Sequence, residues 1–91
     1  MANIASAKKR IRSSARRQER NRVFRSSARA YIKQTRLLIE SGDLEAAQEM
    51  SQKATSTLDK AARKGIIHPR NASRRKGRLM KALASAQKAE A

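Results

Sequence analysis

One histidine, seven carboxylates and twenty-three lysines and arginines are the groups in this chain that could do chemistry. His68 alone could move a proton near neutral pH, but a general base needs an orienting partner and a pocket. Its neighbours are Ile67 and Pro69. The residue is expected to end a turn and cap or contact a helix terminus, with a phosphate contact as its functional alternative. Glu40, Asp43, Glu45 and Glu49 could suggest a metal site, yet acids at this density also mark a solvated helix face and a helix start. There is no cysteine to supply a thiolate. Gly42, Gly65 and Gly77 stand apart rather than forming a phosphate-binding loop. No catalytic residue, no metal ligand and no cofactor is expected. The remaining chemistry is that of the cations.

Their excess sets the formal charge at +16. Sixteen like charges on a small domain repel one another and oppose compaction, and a polyanion relieves that strain. Nucleic acid is the first such partner to consider, an anionic membrane the second, an acidic protein the third. The excess is not spread evenly. Residues 1–36 carry a net +11, residues 37–59 a net −4 and residues 60–91 a net +9. Arginine outnumbers lysine, and its planar fork pairs with phosphate through two hydrogen bonds. The expected contact residues are Lys8, Lys9, Arg10, Arg12, Arg16, Arg17, Arg20 and Arg22 near the start. Arg25, Arg29 and Lys33 follow on a stripe shared with Arg36, and Arg70, Arg74, Arg75, Lys76, Arg78 and Lys81 lie near the end. Lys8 and Lys9 near a helix N-terminus are unfavourable in isolation and favourable beside phosphate.

The elements that must position these groups are helical. Gly42 suits the left-handed residue that closes one helix, and Asp43 suits the N-cap of the next. The same grammar recurs at Gly65-Ile66-Ile67-His68-Pro69, where Pro69 fits a first helical turn. Three helices are predicted, at about 4–41, 43–64 and 69–88, give or take about two to four residues. Phe24, Ala28, Tyr31, Thr35, Leu38 and Ile39 share a face in the first, with Ile32 at its edge. Leu44, Ala47, Met50, Ala54, Leu58 and Ala61 do so in the second, and Ala72, Leu79, Met80, Leu83 and Ala86 in the third. These stripes can be buried only against one another, so the fold class is all-α: an antiparallel three-helix bundle with an overlong, basic first helix. The chain is expected to form one domain, an arm over 1–22 and a bundle over 23–88.

The core must be thin. Of the apolar residues 17 are alanine, and Ile, Leu, Val and Phe number only 14. At ~1.5 Å per residue the first helix outreaches its partners by about 25 Å. Its overhanging half has cations on every side and no apolar face, so it is expected to be disordered until a partner orders it.

Several readings are weighed and set aside. No apolar run approaches the roughly 18 residues of a membrane span, and a soluble, cytosolic chain is expected. An organelle transit peptide would need an amphipathic start, and Ile4 and Ile11 are the only large apolar residues before position 23. A nuclear localisation signal at Arg74 to Lys76 competes poorly with two other basic clusters. A membrane-surface peptide would need an apolar face in the arm. The stacking aromatics of single-strand readers are absent, since Phe24 and Tyr31 both fall on the core face. Binding is therefore expected to run through backbone and shape, as with folded RNA or, as the alternative, a nonspecific nucleoid-type DNA-binding protein.

"MANI" followed by "SAKKR", the "SGD" turn, and "GIIH" followed by "NASRRKGRL" resemble, in order and spacing, the bacterial small-subunit ribosomal protein family numbered twenty. The resemblance spans the chain. It implies a structural, non-enzymatic ribosomal protein in the cytoplasm, bound directly to small-subunit ribosomal RNA and next to other ribosomal components, with no small-molecule substrate and no membrane. It also implies RNA contacts at Asn3, Ser6, Lys8, Lys9 and Arg10, and at His68, Asn71, Arg74, Arg75 and Lys76. Ala5 and Pro69 stand where lysine is common in the family, and Gly77 interrupts the third helix at about 1 kcal/mol relative to alanine.

Overall fold

A computed structural model describes residues 2–90, with side chains from Ile4 to Ala89. Three helices follow in order: α1 over Ala2–Ser41, α2 over Leu44–Arg63 and α3 over Pro69–Glu90. Two glycines make the turns between them. Gly42 has φ 83° and Gly65 has φ 75°, a region costly for any residue with a Cβ. Each sits in the same closing motif. The Gly42 N–H donates to the Ile39 carbonyl and the Asp43 N–H to that of Leu38. At the second turn Gly65 donates to Ala62 and Ile66 to Ala61. Asp43 then serves the next helix, its Oδ1 accepting from the Ala46 N–H at 3.3 Å. His68 does the same for α3, its Nδ1 accepting from the Arg70 N–H at 3.1 Å.

The bundle closes on small residues. Ala28 of α1, Leu58 of α2 and Ala72 of α3 form one buried layer, with Ile32, Ala62 and Ile67 packed around it. Ile66 is buried beneath the second turn. Along α2 the buried positions are Ala47, Ser51, Ala54, Leu58 and Ala61, a spacing of four and three that presents one seam. Two buried polar groups satisfy themselves within their own helices. Thr35 Oγ1 donates to the Tyr31 carbonyl and Ser51 Oγ to that of Gln48, both at 2.7 Å.

Two expectations need correction. Met80 is not core filler but 51% exposed. It lies about 100° round the helix from Leu79, on the flank of α3 that faces α2. Phe24 and Tyr31 are only half-buried, and the Lys64 ammonium lies 5.5 Å from the Phe24 ring centroid, a cation–π geometry. The arm is the overhanging half of α1: residues 2–22 continue the helix without a break, as alanine, arginine, lysine and glutamine permit. The arm still packs on nothing. Residues 4–20 are exposed save for half-buried Ser13, and the molecule measures 70 × 22 × 13 Å.

Two expected outcomes follow from this packing. Leu58→Ala should destabilise the fold by about 2–5 kcal/mol, measured by urea unfolding, because Ala28 and Ala72 cannot reach into the space left. Amide exchange of the free chain should show residues 4–20 close to unprotected rates and residues 28–36 strongly slowed. A helix without tertiary burial opens at little cost.

Candidate nucleic-acid interface

The buried layer of Ala28, Leu58 and Ala72 brings the basic stripe of α1 beside that of α3. Between them runs a cleft of about 500 Å³ lined by Arg29, Ile32, Lys33, Arg36, Leu37, Glu40, Arg75 and Arg78. Toward the start of α3 lies a smaller recess of about 310 Å³, lined by Arg25, Arg29, Ile66, Ile67, His68, Asn71 and Arg75. Arg29 and Arg75 belong to both, so cleft and recess form one cationic track between the two helices. The guanidinium of Arg25 donates to the Ile66 carbonyl at 3.0 Å. That bond ties α1 to the turn before α3 and holds the first rail of the track against the second.

The electrostatics favour an anion throughout. Five cations line the larger cleft against the single carboxylate of Glu40. The recess lies beside the N-terminal turn of α3, whose dipole adds positive potential. Asn71 places its Oδ1 there, buried and without a hydrogen-bond partner. Track and arm together can neutralise a row of phosphates with guanidinium forks and ammonium groups. Among the described residues no cluster of acids and His that could hold a metal occurs, and no helix is long and apolar enough to cross a membrane.

Most of the expected contact residues are exposed to such a partner. Ser6, Lys8, Lys9, Arg10, Arg12, Arg16, Arg17, Arg20 and Arg22 are exposed along the arm, and Arg25, Arg29 and Lys33 along the bundled half of α1. Arg70, Arg74, Arg78, Lys81 and His68 are exposed as well, while Asn71 and Arg75 are half-buried in the track. The side chain of Asn3 lies outside the described residues.

Lys76 faces elsewhere. Its ammonium meets Asp59 Oδ1 of α2 at 2.7 Å, at a groove between α2 and α3 that it lines with Met80 and Leu83. Sequence alone could not separate it from Arg75, because adjacent helical residues point about 100° apart and only the partner helix decides what each meets. Arg36 joins the track as the next member of the Arg25, Arg29, Lys33 stripe, a signal present in the spacing. Ile32, Leu37 and Glu40 carried no such signal.

The arm also differs from expectation. At about 100° per residue its eight cations occupy about two-thirds of the helix circumference. Ala7, Ile11, Ser14 and Gln18 fall on the remaining strip, where Ile11 is 68% exposed.

The sequence profile of the family described as Ribosomal protein S20 matches residues 2–84. Among curated relatives, the small ribosomal subunit protein bS20 of Thermomicrobium roseum is 57% identical over 81 residues, covering 89% of this chain and 82% of the relative. That of Dehalococcoides mccartyi is 43% identical over 88 residues, covering 97% of this chain and all of the relative. That of Nitrosomonas europaea is 49% identical over 79 residues, with 87% and 91% covered.

The geometry separates two neighbouring cations. Arg75→Ala should weaken binding of a polyanionic probe such as heparin several-fold, and Lys76→Ala should leave it within about twofold, by fluorescence titration at fixed salt. Equal losses would mean that the track is not the binding surface.

Proposed function

Since this chain belongs to the ribosomal protein S20 family, we propose that it is a structural constituent of the small ribosomal subunit that binds folded ribosomal RNA directly. It does so through phosphates, on the arm, on the α1–α3 track and on the outer face of α3, and supports assembly of the subunit by neutralising closely packed RNA helices. Its role is structural rather than catalytic, and its place is on the ribosome in the cytoplasm, beside other ribosomal components. The whole chain acts as one RNA-binding unit, with residues 1–22 as the arm and 23–88 as the bundle.

One observation carries this reading. Eight cations against one acid sit on the arm, whose residues 4–20 are exposed save for half-buried Ser13, and a second group, Arg25, Arg29, Lys33, Arg36, Arg75 and Arg78, is gathered between α1 and α3. Neither arrangement helps the isolated chain, because both concentrate like charge. Both suit a polyanion that reaches the protein from more than one direction. Duplex DNA offers the same phosphates and is the second reading, favoured by the lack of base-stacking aromatics at the surface.

A competition titration decides between them. Labelled small-subunit ribosomal RNA should stay bound at physiological salt against excess transfer RNA and duplex DNA at equal phosphate concentration. Displacement by either competitor would reduce the protein to a general polyanion binder. If about 8 phosphates are contacted, log affinity should fall with log salt at a slope of roughly −6 to −7. A slope near −2 would mean that the arm and the track do not bind together.

A further inference from the structure

Gly77 lies in the middle of α3, where a glycine weakens a helix relative to alanine by loss of backbone freedom. Glycines in such places usually make room for a neighbouring element. Here none is near. A Cβ built at Gly77 would meet no atom within 4 Å, the residue is exposed, and its φ lies outside the positive range that Gly42 and Gly65 occupy. Neither packing nor backbone conformation within the chain calls for it.

Its surroundings on the helix surface are specific. The residues one turn away are Ser73 and Arg74 before it and Met80 and Lys81 after it. Arg74 and Lys81 form a cationic flank on one side, and Met80, 51% exposed, offers apolar surface on the other. A helical side chain covers the turn N-terminal to its own Cα. The missing Cβ therefore uncovers backbone at Ser73 and Arg74, whose carbonyls keep a second lone pair while bonded within the helix.

We infer that the crest of α3 at Gly77 is the point where the bound RNA comes closest to the protein backbone. A sugar–phosphate strand lies along α3 there, with phosphates on Arg74 and Lys81 and a ribose face against Gly77 and Met80. This inference rests on the RNA-binding reading and sharpens it. The wide, shallow minor groove of A-form RNA displays 2′-hydroxyls that a helix crest can meet only at short range. A 2′-hydroxyl seated over Gly77 donates to an uncovered carbonyl of the preceding turn. DNA has no such donor, so Gly77 contributes to the choice of RNA over DNA.

The test pairs stability with binding, using the full chain, a small-subunit ribosomal RNA fragment and a DNA duplex of equal phosphate number. Gly77→Ala should raise the melting temperature by about 2–6 °C. It should weaken RNA binding by about threefold and Gly77→Leu by about tenfold or more, with DNA binding within about twofold of the parent for both. Replacing the ribose of the RNA fragment by 2′-deoxyribose should lower the affinity of the parent and leave that of Gly77→Leu almost unchanged. If both variants bind RNA as the parent does, RNA does not approach α3 at Gly77 and the inference falls while the functional reading stands. If the parent itself shows no preference for the RNA fragment over DNA, the functional reading falls first.

Discussion

The buried layer of Ala28 of α1, Leu58 of α2 and Ala72 of α3 governs the rest of this molecule. Alanines on two of the three helices leave room for a single large side chain, Leu58, to fill the layer. Arg29 follows Ala28, and Arg75 lies three residues beyond Ala72. Arg25, Arg29 and Arg75 are therefore placed by an apolar contact one turn or less away. A larger residue at either alanine would push the two rails apart as well as strain the core.

Such a core leaves little stability in reserve. Leu58 and Leu79 are the large apolar side chains that lose all contact with water, and the net charge of +16 opposes the compact state. The turns compensate in part by fixing the chain locally. Each reuses the residue after its glycine: Asp43 caps α2, and Ile66 seals the end of the bundle while its carbonyl receives Arg25. A bundle built this way can present cations on two helices and leave α2, whose three acids are matched by three bases, to take the back. The repulsion that burdens the free chain is also what makes a polyanion bind favourably, since each neutralised phosphate removes some of it.

Much of this was legible in the residues. The three helices and both turns follow from Gly42 with Asp43 and Gly65 with Pro69, and the seam of α2 follows from spacings of three and four. Ser51 escaped because a hydroxyl does not read as core, although its bond to the Gln48 carbonyl lets it pack as a small apolar group. Met80 misled for the opposite reason: it is apolar, but α3 is buried along only a narrow stripe centred on Leu79 and Leu83. In the candidate site, Arg36 was visible as the continuation of a stripe. Asn71 could be reached only through family resemblance, and no pattern reveals that its Oδ1 is left unpaired.

What the sequence by itself determined is whatever depends on neighbours a few residues away: helix spans, caps, left-handed glycines, and the division of charge between outer helices and the middle one. These are local because hydrogen bonds and helical periodicity act over three to five residues. The tertiary structure alone decided which cations look into the track and which do not. Arg75 and Lys76 are adjacent, equally basic and indistinguishable in the chain. They part because α1 lies on one side of α3 and Asp59 of α2 on the other, and that arrangement is set by the fit of Leu58 between two alanines more than forty residues apart.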